Sequence, residues 1–527
     1  MNMNTYTKMP DESILNKGLS EKQLFEFLYN AALFNNKIIY IGRLLQRAAF
    51  LTPAATALIY KDQLISYKDL YERAVVLSKL LKERGAQKGD RILLFWENSI
   101  EFYIAYFAIL QVGAVVAPLN VFLTSAEVMH IISDAKPCLM IVSDELLSRL
   151  AEVDHSLFPP LIKQADFPPH GNSQEGEAFE IVDLEPDEMA ALLYTSGTTG
   201  FPKGVMISSK NAVTNVMQGL ARLKLGLVPG ERLFCILPLF HSFAQFVCVW
   251  GAFFTSSTVI VIPRIERRYL LEGLKKNPTV FLGVPALYGL LILLKNAPLD
   301  SIKYFVSGGD ALQDRICAGF ELIYRRKICS GYGLTETSPL IAIHLKDEAV
   351  RSNTVGELVS GIEAEIRDDQ GKVLPKDSIG ELWVKGDNIM LGYYNAPEAT
   401  DAVLKNGWFN TGDMAYFDAQ DRLVITGRLK DVIASKGIKV YPQEIENVIA
   451  GHSLVLRVGV VGREDKVAGQ VPVAYVQVRH MAPDIEYELQ ELCRKNLAPY
   501  KIPRSFILTT EALPVTATGK VDKKKLK

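Results

Sequence analysis

Three observations on the 527-residue sequence predict an α/β protein with a large N-terminal domain of doubly wound sheets, a β-rich subdomain and a small α+β unit at the C-terminus. The length exceeds what one hydrophobic core normally serves, so two or more domains are expected. Short apolar runs alternate with amphipathic segments through most of the chain, the pattern of a mostly parallel sheet covered by helices. From about Val355 the pattern becomes richer in strands, and a compositionally separate unit follows Gly427-Arg428-Leu429-Lys430.

Taken in order, residues 21–34 read as a short amphipathic helix rich in Phe and Leu, able either to pack on its own domain or to lie on a membrane surface. Ser66 and Asp69 approximate a capping box. Leu70, Ala74, Leu77 and Leu81 then repeat at helical spacing, and Gly85 stops the helix. Arg91–Phe95 reads as a strand, Ile100–Gln111 as a helix, and Ala114–Pro118 and Cys138–Val142 as further strands. Residues 155–187, rich in Pro, Gly, Glu and Asp, read as a loop. Beyond it lie a helix over Lys210–Leu223 and strands near Leu233–Leu237, Thr258–Ile262, Val280–Val284 and Tyr304–Ser307. Val355–Val359, Ile362–Arg367 and Glu381–Lys385 are the strands of the β-rich part. In the last unit Pro442 opens a helix, where proline is tolerated. Leu454–Val461 and Val471–Val478 read as strands and Tyr487–Asn496 as a helix.

Composition narrows the function. Hydrophobic residues make up 49% and charged residues 22%, an ordinary globular balance, and the formal net charge is −1. No global field therefore favours nucleic acid or an anionic membrane. Six scattered cysteines show neither metal-ligand spacing nor a disulfide framework and fit a reducing cytosol. The polar start, Met1–Lys17, lacks the features of a secretory signal. Phe102–Ala126 and Ser242–Pro263 carry no charge and are long enough to span a bilayer. Their Gln, Asn, Pro, Ser and Thr, and the lack of flanking basic asymmetry, favour buried helix–strand segments.

The densest chemistry lies in Tyr194-Thr-Ser-Gly-Thr-Thr-Gly-Phe-Pro-Lys-Gly-Val205. Glycines allow backbone N–H groups to converge on an anion, hydroxyls add donors, and Lys203 adds a point charge. The stretch reads as a phosphate cradle, although Gly204 stands where a P-loop would need a magnesium-binding hydroxyl. A Gly/Ser/Thr run is also the composition of a surface loop, but this one lies between apolar segments. Downstream, Leu237-Pro-Leu-Phe-His-Ser-Phe243 puts His241 just after a strand end, a position equally suited to a core histidine. Ser307-Gly-Gly-Asp-Ala-Leu312 places Gly308, Gly309 and Asp310 at a strand's C-terminal edge, where ligands collect in parallel sheets. In Ser330-Gly-Tyr-Gly-Leu-Thr-Glu-Thr-Ser338, Tyr332 offers a flat face for a purine, and Thr335 and Glu336 offer oxygens for magnesium. Asp413, in Asn410-Thr-Gly-Asp413, could accept ribose hydroxyls.

These motifs, in this order, closely resemble those of the adenylate-forming enzymes: acyl- and aryl-CoA synthetases, luciferases and peptide-synthetase adenylation domains. The resemblance covers roughly residues 43–527. It implies a residue 1–42 extension, an AMP-binding domain over 43–428, and a mobile C-terminal domain over 429–527. It implies ATP, Mg2+ and coenzyme A as cofactors or co-substrates. It assigns Thr195, Ser196, Gly197, Thr198, Thr199, Gly200 and Lys203 to the phosphates, and Gly308, Gly309, Asp310, Tyr332 and Gly333 to the adenine side. Thr335 and Glu336 correspond to the metal positions, Asp413 and Arg428 to the ribose positions, and His241 to the position guiding the carboxylate. Lys520 matches the catalytic lysine, a cation between two repelling anions, and Lys430 the hinge. Asp310 departs from the small residue usual at its position. The loop Ala434-Ser-Lys-Gly-Ile-Lys-Val440, which looks rather like the aryl-acid version, corresponds to the one presented for the thiol step.

The implied reaction joins ATP and a carboxylate into acyl-AMP and pyrophosphate, then passes the acyl group to coenzyme A. The aromatic and aliphatic run Phe240–Phe254 favours a medium- or long-chain fatty acid. An aryl acid, or an acyl carrier protein as acceptor, remains an alternative. Contact with nucleic acid is not expected, contact with a membrane is peripheral at most, and the expected location is the cytoplasm.

Overall fold

The computed structural model describes residues 18–168, 179–195, 202–224, 230–346, 348, 354–435, 438–465, 469–515 and 521–526. Ser196–Gly200, Lys436-Gly437 and Lys520, all singled out above, lie outside the described residues.

Two large sheets form the N-terminal part, each parallel at its centre. In one, Arg91–Phe95 lies between Val115–Pro118 and Leu139–Val142, all three parallel and buried, and Leu161–Ile162 closes an edge. Met189–Thr195 continues this sheet in parallel, then turns back as Lys203–Ser208 in antiparallel register. In the other, Cys329–Gly333, Tyr304–Ser307, Val280–Gly283, Arg232–Cys235, Thr258–Val261 and Thr56–Tyr60 run parallel, with antiparallel strands at both edges. Valine, isoleucine, leucine and phenylalanine fill the central strands because both faces are covered.

The uncharged runs resolve into core elements. Helix Ile100–Gln111 is buried on nearly every face and leads into the strand Val115–Pro118. The Tyr103 and Tyr106 hydroxyls find acceptors at the Cys248 carbonyl and the Gln245 side chain, as buried phenols must. Ser242–Thr255 is helical and contains a π-helical segment, Gln245–Gly251, before the strand Thr258–Val261. Among the described residues no helix is long and apolar enough to cross a membrane.

The N-terminal helix differs from expectation at its end. It spans Glu21–Ala31, capped by Ser20 and Gln23, and stops before residue 34. Asn35 and Asn36 both take positive φ, so Leu33–Phe34 folds back on Lys37–Ile38 as a small hairpin. Leu24, Leu28 and Ala31 are buried. Glu21 reaches Arg222, on helix Ser209–Leu223, at 3.1 Å and accepts from the Ser360 N–H and hydroxyl. The apolar stripe that could have faced lipid is instead covered by the protein itself. The Ser66 cap forms on the Asp69 N–H, and Gly85, with φ of 89°, follows the helix Tyr67–Glu83.

The β-rich part is an antiparallel sheet of Glu363–Arg367, Gly380–Lys385, Trp408–Phe417 and Leu404–Lys405, with Leu423–Arg428 paired to Trp408–Phe417. After the short helical turn Leu429–Asp431, the C-terminal domain builds its own sheet from Ile433–Ser435, Ile438–Val440, Val455–Asp465, Gly469–Val478 and Ser505–Thr509. Helices Pro442–Ala450 and Ile485–Asn496 cover it, burying Ile445, Ile449 and Leu489 in a separate core.

Candidate active site

The motifs converge on one cavity of about 1440 Å3. It is lined by Thr195, Lys203, His241, Gly308, Gly309, Tyr332, Gly333, Thr335, Glu336, Arg428 and Lys430. These residues are distant in sequence. They meet because the C-terminal ends of parallel strands in a doubly wound sheet open onto a common crevice.

Thr195 and Lys203 face each other as the pair that closes the hairpin of Met189–Thr195 and Lys203–Ser208. At Gly204 a Cβ would come within 2.8 Å of the Leu192 side chain, so that hairpin strand packs closely only with glycine there. The Lys203 ammonium lies 5.5 Å from the centre of the Tyr393 ring. Strand Gly392–Tyr393 pairs with the Lys203 strand, and the Tyr393 hydroxyl donates to Glu336 at 2.8 Å. Burial raises the Tyr393 pKa and the Glu336 charge raises it further, so the phenol stays a donor. Tyr393 thus contacts both Lys203 and Glu336, a pairing nothing in its own sequence context marked.

Glu336 sits on the helical turn Thr335–Thr337, and the Thr335 hydroxyl lies 3.1 Å from that of Ser242. Among the described residues no group of three or more His, Cys, Asp and Glu side chains could hold a metal by itself. Thr335 and Glu336 offer one hydroxyl and one carboxylate, hard oxygens of the kind a magnesium ion takes beside phosphate and water. His241 caps the short helix Ser242–Ala244, its Nδ1 accepting from the Phe243 N–H. That bond leaves Nε2–H as the donor of the neutral ring.

Asp413 and Arg428 are direct cross-strand neighbours, 2.7 Å apart, with the aspartate side chain 4% and the arginine 45% exposed. The Tyr332 hydroxyl bonds the other carboxylate oxygen. Burial, then the Asp413 charge, raises the Tyr332 pKa. Burial opposes the charge on Arg428, and Asp413, Tyr332 and Glu336 outweigh it, so its pKa is raised. Asp413 itself does not line the cavity, whereas Thr411, Gly412 and Arg428 do. Both Asp413 oxygens have protein donors, Arg428 on one and Tyr332 on the other. Asp310 is exposed, bonds the Ala311 N–H and does not line the cavity, unlike Gly308 and Gly309.

The lining also includes the apolar side chains of Val216, Phe243, Phe246, Val280 and Leu340, together with Gly219. Helix Ser209–Leu223 supplies Val216 and Gly219, and a Cβ on Gly219 would meet the tip of the Phe246 ring at 2.8 Å. Val515, Asp522 and Lys525 of the C-terminal domain also line the cavity. Val515 bridges Val521, and the Asp522 N–H bonds the Pro514 carbonyl, closing the base of the segment that contains Lys520.

Residues 45–394 match the AMP-binding enzyme family and residues 444–520 its C-terminal domain. The chain belongs to this family, the adenylate-forming enzymes. It is 30% identical to the long-chain-fatty-acid–CoA ligase of Bacillus subtilis (strain 168), over 90% of this chain and 91% of that protein. It is 32% identical to 4-coumarate–CoA ligase-like 4 of Oryza sativa subsp. japonica, over 84% and 83%. The crystal structure of ATP-bound MatB from Rhodopseudomonas palustris superposes with a TM-score of 0.84 at 29% identity, covering 93% of this chain and 98% of that one.

Proposed function

We propose that the protein is an ATP-dependent, AMP-forming acid–CoA ligase that activates a medium- or long-chain fatty acid as acyl-AMP and transfers it to coenzyme A. The observation that carries this reading is one 1440 Å3 cavity whose lining joins the motif residues to apolar side chains such as Val216, Phe246, Val280 and Leu340, and which is larger than a single small ligand requires. The cradle 195–203 would bind the triphosphate. Gly308, Gly309 and the Tyr332 ring would take the adenine, and Arg428, buttressed by Asp413, the ribose side. His241, which also lines the cavity, would orient the carboxylate.

The chemical difficulty is bringing a carboxylate to the α-phosphate, two anions that repel. Magnesium bound through Thr335 and Glu336 would neutralise phosphate charge. Lys203 and Lys520 supply the remaining cations, and neither is asked to form a covalent intermediate. Lys430, on the turn between the two domains, would then act as hinge for rotation of the C-terminal domain, bringing the 434–440 loop to the site for thioester formation. Burial, with Arg428 nearby, lowers the Lys430 pKa.

An aryl acid is the second reading, favoured by the 4-coumarate–CoA ligase-like relative. The deciding experiment is pyrophosphate release over a panel of fatty and aryl acids, with and without coenzyme A. The proposal expects release to be greatest with fatty acids and turnover to require coenzyme A. Preference for cinnamate-type acids would install the second reading, and thioester formed only on a holo-acyl carrier protein would exclude coenzyme A as acceptor.

A further inference from the structure

Arg315 lies near the start of helix Asp314–Tyr324, away from the cavity, and reaches across to the C-terminal domain. Its guanidinium donates to the Val455 carbonyl at 2.7 Å and to the Leu456 carbonyl at 3.3 Å. Gln313 accepts from its Nε at 3.0 Å and so fixes the plane of the fork. The receiving site is shaped for this contact. Val455 pairs with Val478 and Arg457 with Gln477, so Leu456 is the extra residue of a β-bulge. Bulges re-aim backbone groups, and here two consecutive carbonyls turn toward one arginine. Among the described residues no carboxylate pairs with Arg315. Two neutral acceptors make a bond that is specific in direction yet weaker than an ion pair, suited to repeated making and breaking.

We propose that Arg315 is a positioning residue of the adenylation half-reaction. It holds the C-terminal domain in the orientation that keeps Val515, Asp522 and Lys525 on the cavity wall, and it lets go before thioester formation. The inference rests on the ligase reading above. In adenylation a carboxylate oxygen forms a bond to the α-phosphorus, the bond from that phosphorus to the bridging oxygen breaks, and pyrophosphate leaves with the electron pair. Arg315 touches none of these atoms. It acts by raising the fraction of molecules in which the C-terminal segment is at hand.

The test uses the full chain as wild type, Arg315→Ala and Arg315→Lys, with the acid that gives most pyrophosphate release. Acid-dependent ATP–pyrophosphate exchange reports the first half-reaction, and conversion of the purified acyl-AMP by coenzyme A the second. Arg315→Ala should slow exchange roughly tenfold, the scale of losing charge-assisted hydrogen bonds, and leave the second half-reaction unchanged or faster. Arg315→Lys, retaining charge but one contact, should fall between. Unchanged exchange in Arg315→Ala, or an equal fall in both half-reactions with an unchanged thermal melt, overturns the proposal. Wild-type protein without acid-dependent exchange would instead refute the ligase reading itself.

Discussion

Tyr393 bonds Glu336 across 57 residues of sequence and its ring centre lies 5.5 Å from the Lys203 ammonium, so one phenol contacts both an acid and a cation. Removing its hydroxyl should loosen Glu336 without disturbing the ring. Tyr393→Phe is expected to slow adenylation roughly tenfold, the worth of one hydrogen bond to a charged group, while leaving coenzyme A transfer from supplied acyl-AMP intact. Rapid-quench measurement of the two steps checks this, and equal loss in both would contradict it. Of the residues that line the cavity, Thr195, Lys203, Gly308, Gly309, Tyr332, Thr335 and Glu336 were legible because glycines, hydroxyls and a lysine cluster within short motifs, whereas Val216, Gly219 and Leu340 carried no such signal. Tyr393 was not legible, since a tyrosine beside another tyrosine carries no chemical signature until the strand pairing sets it against Lys203. Asp413 was legible as a functional position, but its pairing with both Arg428 and Tyr332 is a tertiary fact.

At the scale of elements, one strand and one helix decide how the cavity is held. Strand Cys329–Gly333, which carries Tyr332, is anchored by His344. That ring is buried, with Nδ1 3.2 Å from the Ser330 carbonyl and Nε2 3.0 Å from the Thr354 hydroxyl. A carbonyl only accepts, so Nδ1 carries the proton and Nε2 receives the threonine's. Burial lowers the His344 pKa below its ordinary 6.5. Below that value the unfolded chain binds more protons than the folded one, so the stability owed to neutral His344 is present above 6.5 and is lost as pH falls. Thermal melts of wild type should drop between about pH 7 and about pH 5 more steeply than those of His344→Gln, and parallel curves would contradict this.

Helix Ser209–Leu223 presents Gly219 to the cavity, where a side chain would press on Phe246 and Leu340. Glycine costs about 1 kcal/mol in a helix interior, so its presence there answers to space. Gly219→Leu should cut kcat/KM for long acids relative to short ones by roughly tenfold or more. A uniform fall across chain lengths would speak against a channel at this point. Strands and helices of the parallel sheets were readable from apolar periodicity. The π-helical segment Gln245–Gly251 and the hairpin after Ala31 were not, because each depends on local backbone geometry within a segment whose composition suits a plain helix.

On the scale of the whole molecule, two large sheets and a separate C-terminal core meet around one cavity. The division was visible in the sequence as a change of pattern near residue 430, and the order of motifs gave the family. The relative placement of the two parts was not visible, because it rests on contacts such as Arg315 with Val455 that join residues 140 apart. If the turn Leu429–Asp431 is the hinge, Lys430→Pro restricts the φ change that rotation needs. Adenylation should be spared and thioester output should fall, read as acyl-AMP accumulating in single-turnover mixtures; undiminished thioester would contradict a hinge there. The central claim is that nucleotide and acid share one cavity. A crystal structure with a non-hydrolysable acyl-AMP analogue tests it most directly. The account predicts the phosphate beside Thr195 and Lys203, the adenine against Tyr332 and the acyl chain running past Gly219 and Phe246. Density for the analogue at any place remote from residues 195–203 would contradict it.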